Sequence, residues 1–261
     1  MVFAPDTLVY PDTDGQPMAD NTEQFRWIVY LKEGLEWLFA GDPDVFVAAD
    51  LLWYPVEGNP QLCQAPDTMV AFGRPEGKRG SYRQWLEANV APQVVFEVLS
   101  PGNTVPEMTR KFQFYQRFGV EEYYIYDPEG GTLDGFVREG GWLSGIEAMA
   151  GWVSPRLGVR FGLDERGGLR LWRPDGTPFE SYGEIAVRAE QERQRTEQER
   201  QRAEAAEQRA EQEQQRAEAA ERQAQSQSSR AELERQRAEQ AEAQAQRLAE
   251  RLRALGIDPE S

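Results

Sequence analysis

The chain has 261 residues, one cysteine (Cys63) and no histidine. Lacking imidazole, it can form no Ser-His-Asp triad, no Cys-His pair and no histidine-ligated zinc or haem; with a single thiol it can form neither an intramolecular disulfide nor a thiolate zinc cluster. Any catalysis must therefore run on carboxylates, lysine, hydroxyls and a hard cation bound by oxygen, such as magnesium, manganese or calcium.

The net charge of −16 is unevenly spread: residues 186–261 carry 17 acidic and 14 basic side chains, leaving 28 acidic and 15 basic in the first 185, a balance of −13. That is not the footprint of a protein that coats nucleic acid non-specifically. No basic, then apolar leader opens the sequence and no run of about eighteen apolar residues occurs, so a soluble cytoplasmic protein with no membrane association is expected.

Residues 1–20 are rich in Pro and Asp and are expected to be irregular. Asp20-Asn21-Thr22 is placed to cap a helix whose apolar stripe is Trp27, Ile28, Leu31, Leu35 and Leu38, closed by Gly41-Asp42-Pro43. DVFVAADLLWYP and QLCQAPDTMVAFG read as two strands, followed by the polar loop RPEGKRGS and a short helical stretch, YRQWLEAN. The segment VVFEVL, residues 94–99, is a strand apolar on both faces with Glu97 in its middle. Pro101-Gly102 ends it, and Thr104 caps a helix through MTRKFQFYQRF to Gly119. EEYYIYDP is the next strand, and residues 131–175 read as a small glycine-punctuated meander on one flank of the sheet. The order points to an α/β or α+β domain around a mixed sheet.

From about 186 to 255 the composition collapses to Glu, Gln, Arg and Ala. Ala203, Ala210, Ala217, Ala224, Ala231, Ala238 and Ala245, then Leu252, recur every seven residues. That period predicts a long helix, solitary or assembling as a coiled coil, with Leu248, Leu252 and Leu255 as the gripping point. The expected domains are 1–20 irregular, 21–183 globular, 186–255 helix or coiled coil, and 256–261 tail.

Glu97 raises the chemical question. An ionised carboxylate buried without a partner costs several kcal/mol. At about 100° per residue, Lys111 falls within the apolar arc of Met108, Phe112, Tyr115 and Phe118, whereas Arg110 and Arg117 fall opposite. Lys111 is therefore expected to turn inward toward Glu97; the alternative is an exposed pair with Glu107. Asp67, after Pro66 at the head of an apolar strand, is the third candidate, although a Pro-Asp pair by itself is ordinary turn chemistry.

Taken in order, Pro66-Asp67, then Glu97-x-Leu99-Ser100-Pro101, then Thr109-Arg110-Lys111-Phe112-x-x-Tyr115, then Gly119-Val120-x-Glu122-Tyr123-Tyr124-Ile125-x-Asp127-Pro128 resembles the Uma-two restriction-endonuclease group of the PD-(D/E)XK nuclease superfamily. The resemblance spans approximately residues 20–180. It implies a restriction-endonuclease-like mixed sheet flanked by helices and a metal-dependent endonuclease acting on DNA. The superfamily signature carries lysine two residues after the Glu, where this chain has Leu99; the group is thought to supply it from the neighbouring helix, which matches Lys111. The implied site has Asp67, Glu97 and the Val98 carbonyl holding Mg²⁺ (or Mn²⁺), with Asp50 and Glu23 as further carboxylates and Lys111 acting on the attacking water or the phosphate charge. Arg74, Lys78, Arg79 and Arg110 are the candidate phosphate contacts. The rival expectation is an inactive nuclease-like scaffold working through its coiled tail. On either view, partners are expected through the C-terminal helix, as a homo-oligomer (a dimer placing two sites on a duplex) or with another protein.

Overall fold

The computed structural model describes residues 8–254, with side chains placed to residue 251. Residues 8–20 contain no helix or strand. The remainder of the expected N-terminal segment, the tail 256–261, Leu255 and the side chain of Leu252 lie outside the described residues.

Helix α1 spans Thr22–Leu38. Asn21, in extended conformation, caps it by accepting from the Gln24 N–H at 2.8 Å. Trp27, Ile28, Leu31 and Leu35 are buried along one stripe, each fully buried aliphatic side chain contributing roughly 1.5–3 kcal/mol. Gly34 leaves room for the Phe179 ring, whose Cδ2 lies 2.2 Å from where a Cβ would stand.

After α1 come β1 (Val45–Ala48), β2 (Trp53–Tyr54), β3 (Thr68–Phe72), β4 (Tyr82–Arg83) and β5 (Val94–Val98). DVFVAADLLWYP is thus two strands rather than one, broken where Asp50 adopts φ 48°, a left-handed conformation that strand pairing does not accept. YRQWLEAN is not a helix at its start: Tyr82 and Arg83 pair in parallel with Trp53 and Tyr54, and only Gln84–Leu86 forms a 3₁₀ turn.

Helix α2 (Val105–Phe118) begins with a capping box between Thr104 and Glu107 and ends at Gly119, whose φ of 92° suits a residue without Cβ. Next are β6 (Glu122–Asp127), β7 (Thr132–Glu139), β8 (Trp142–Gly145), β9 (Arg160–Leu163) and β10 (Leu169–Trp172).

The main sheet is six-stranded and mixed, in the order β1-β3-β5-β6-β7-β8. Only β5 and β6 are parallel, and α2 makes their crossover. On one face, α1 and the β9–β10 hairpin cover Val70, Phe96, Val98, Tyr124 and Tyr126; on the other, Tyr115 and Phe112 of α2 pack with Trp53, Met69, Val95 and Tyr123. The expected separate meander is therefore divided: β7 and β8 extend the main sheet through continuous pairing with β6, and only β9–β10 stands as its own ribbon.

Helix α3 runs Tyr182–Ala254. Its start is fixed by Ser181, which accepts from the Glu184 N–H while Glu184 accepts from the Ser181 N–H at 2.8 Å. Residue contacts divide the chain into Met1–Val187 and Arg188–Ser261. In the second unit the alanine row is exposed, as are Leu233 and Leu248. Among the described residues no helix is long and apolar enough to cross a membrane.

Candidate active site

The site forms where β3 begins beside β5. The antiparallel register pairs Thr68 with Phe96, so one step before the strand Asp67 lies opposite Glu97 with its side chain on the same face. Val98 lies beyond the end of that pairing, and side chains take over its backbone groups. Its N–H donates to Asp67 Oδ2 at 2.6 Å, and its carbonyl accepts from Gln24 Nε2 at 2.9 Å.

Glu97 is 2% exposed. Lys111 reaches it from α2, with Nζ 2.7 Å from Oε2, and the Tyr115 hydroxyl donates to the other oxygen. Lys111 and Tyr115 are four residues apart, so one face of α2 delivers both donors. Lys111 thus turns inward as the apolar arc predicts, rather than forming the exposed pair with Glu107.

The electrostatics follow from this crowding. Asp67 is held well above the usual carboxylate range, first by burial and next by Glu97; Lys111 and the Val98 N–H oppose that rise. Burial works against the Lys111 ammonium, but Glu97 and Asp67 outweigh it and hold that lysine above its ordinary range. Burial, then Glu97, pushes the Tyr115 phenol well up. Tyr123, fully buried on the same face, has a hydroxyl with no partner.

Two adjacent carboxylates, a backbone carbonyl and no nitrogen or sulfur donor are a donor set that fits a hard divalent cation. Magnesium commonly takes one or two protein carboxylates and completes its shell with water and phosphate. Among the described residues no group of three or more His, Cys, Asp or Glu side chains is arranged to hold a metal ion.

Asp50 and Glu23 accordingly do not complete a carboxylate cluster. Asp50 is exposed, its backbone N–H bonded to the Pro66 carbonyl, and its carboxyl is raised by partial desolvation, then by Asp14, against the pull of Lys111. Glu23 is committed elsewhere: it accepts from Trp27 Nε1 at 2.8 Å and pairs with Arg26 at 2.9 Å, in a cleft shared with Tyr126, Asp164 and Arg170 on the α1 face of the sheet. The α1 residue that reaches the site is its neighbour Gln24, 6% exposed. A glutamine inside an otherwise apolar helical stripe was the available signal.

The expected phosphate contacts separate into two kinds. Arg74 and Arg79 both bind Glu87, at 3.0 and 2.6 Å, and Arg79 also covers the Phe46 ring at 3.9 Å. These guanidinium groups are structural, and their bonds hold Glu87 below its usual range. Lys78 and Arg110 are exposed. Trp53 and Tyr82 are core residues.

No curated protein matches the chain. Among solved structures, one described as the crystal structure "of a putative nuclease belonging to DUF820 from Anabaena variabilis" is 13% identical, covers 54% of this chain and 74% of its own, and superposes with a TM-score of 0.39. The model of the Uma2 family, described as "Putative restriction endonuclease", matches residues 6–164, which is more than half of the sequence, and the chain belongs to that family.

Proposed function

We propose that the protein is a divalent-cation-dependent endonuclease that hydrolyses DNA phosphodiester bonds at the Asp67–Glu97–Lys111 site. The observation that carries this proposal is the Lys111 ammonium lying 2.7 Å from a buried Glu97 that faces Asp67. Such a carboxylate pair disfavours its own double ionisation, and it is better suited to sharing a cation than to supporting a fold.

Asp67 and Glu97, with the Val98 carbonyl, would hold Mg²⁺ or Mn²⁺, which when bound supplies a Lewis acid for the scissile phosphate and its attacking water. The chain's own groups do the rest. Tyr115 and Lys111 keep Glu97 in one rotamer, and the Val98 N–H does the same for Asp67. The Lys111 ammonium orients the nucleophilic water or offsets charge building on the phosphate oxygens, in a setting that excludes most solvent. Lys78 and Arg110 are the exposed cations available to the DNA backbone. Association of α3 with a second copy would present two sites to the two strands.

The test is nicking of supercoiled plasmid with Mg²⁺ or Mn²⁺ by the wild type, Glu97→Gln and Lys111→Met. Nicking by the wild type alone supports the proposal, and equal silence from all three overturns it. Equal silence would favour the second reading, a nuclease-like scaffold, which gains weight from the capture of Arg74 and Arg79 by Glu87 in an already acidic unit.

A further inference from the structure

We infer that Gln24 is a positioning residue for the carboxylate pair, acting through the Val98 backbone; the inference rests on the proposed cation site. Gln24 is 6% exposed and bridges two stretches of backbone: its Oε1 accepts from the Asp20 N–H at 2.8 Å, and its Nε2 donates to the Val98 carbonyl at 2.9 Å. The Val98 N–H in turn donates to Asp67 Oδ2 at 2.6 Å. Gln24 and Asp67 therefore grip the two polar groups of a single residue, just where β5 has lost β3 as a partner; on the β6 side the Leu99 N–H keeps its ladder bond to the Tyr126 carbonyl.

Replacing Gln24 with a residue that cannot donate leaves the carbonyl without its partner on the β3 side, so that the peptide is held only through the Leu99 N–H and can tilt about that bond. The N–H on Asp67 then loosens, and Asp67 loses its fixed direction opposite Glu97. Gln24 also holds the carbonyl at a defined angle, leaving its second lone pair for another electropositive partner. The residue touches neither carboxylate, so its influence is geometric.

Two variants separate this role from simple support of the helix. Gln24→Met keeps the length and removes both bonds; Gln24→Glu keeps an acceptor for the Asp20 N–H and removes the donor to Val98. Ile28→Val, one turn along α1 and fully buried, is the packing control. Amide exchange at Val98, read by NMR without metal, is expected to accelerate about tenfold or more in both Gln24 variants while Val95 and Tyr124 amides hold their rates. Calorimetric titration with Mn²⁺ is expected to show about ten- to a hundredfold weaker binding for Gln24→Met than for wild type, the range typical of groups that orient ligands, with Ile28→Val unchanged.

Unchanged Val98 exchange in both Gln24 variants, or equal effects from Ile28→Val, would overturn the inference. Absence of Mn²⁺ binding by the wild type, with Val98 still accelerating in the variants, would overturn the cation site and leave the peptide lock standing.

Discussion

Changing Asp67 to Asn should make the protein more stable and, on the proposed function, abolish plasmid nicking. The substitution keeps an acceptor for the Val98 N–H, and the new amide can donate to Glu97 where two carboxylates otherwise repel. A hydrogen bond to a charged group contributes about 1.5–3 kcal/mol, and solvent screening at the part-exposed Asp67 discounts that to about 1–2 kcal/mol. For a unit of this size that is a rise in Tm of about 2–8 °C.

The gain has a pH signature. Because burial, then Glu97, raises Asp67 in the folded state, the folded chain binds a proton there more tightly than the unfolded chain. Stability from this group is fully present below the unfolded-state value of about 3.9 and is lost as pH rises through the folded-state value. Asparagine cannot titrate, so its advantage should be largest at neutral pH and shrink in acid. Tryptophan fluorescence is the suitable probe, since all seven tryptophans lie between residues 27 and 172 and none in α3. The same acid-to-amide change at Glu97 should act oppositely, because it leaves Lys111 without its buried partner, at about 3–5 kcal/mol. A less stable Asp67→Asn at neutral pH, or a difference that ignores pH, would refute this account.

Tyr115→Phe should destabilise by about 1.5–3 kcal/mol, since an ionised acceptor loses a buried donor; a melting curve within error of wild type would count against the Tyr115–Glu97 bond. Glu87 is lowered by its bonds to Arg79 and Arg74, so its stabilisation is present above the unfolded value of about 4.3 and lost as pH falls through the folded value; Glu87→Gln should flatten that acid limb, and an unaltered limb speaks against it. Sedimentation equilibrium of the full chain should give a mass above the 29.7 kDa monomer through α3, and a monomer at every concentration would dismiss self-association.

Where the pattern was periodic, it was legible. The α1 stripe, the inward turn of Lys111 and the Thr104 cap all follow from the 3.6-residue repeat and from cap chemistry, which are local. What escaped was decided by other parts of the chain. Nothing near Asp50 signals a left-handed turn, because the bond from its N–H to the Pro66 carbonyl bridges sixteen residues. Arg74 and Arg79 look like free cations until Glu87 folds back between them. Glu23 and Gln24 are one residue apart, and only the rotation of α1 against β5 decides which of them meets Val98.

A lysine that neutralises Glu97 could stand at either of two positions. Residue 99 continues β5, its N–H bonded to the Tyr126 carbonyl, on the same face as Glu97 and about 6–7 Å further along the strand. Lys111 arrives over that face because the parallel crossover lays α2 on β5 and β6. A four-carbon stem can bring an ammonium to Glu97 from either starting point. Leu99 lines a groove of about 600 Å³ beside Met108, Phe112 and Asp127, so there is room for a lysine there. Lys111→Met should lose about 3–5 kcal/mol by leaving Glu97 unpaired, and adding Leu99→Lys should restore at least about 1 kcal/mol of it. Recovery should be partial, because Asp127, Glu129 and Asp134 around the groove compete for the relocated charge. Melting curves of the single and double variants decide the matter: a double variant no more stable than Lys111→Met would mean that the helix is the sole position from which this carboxylate can be neutralised.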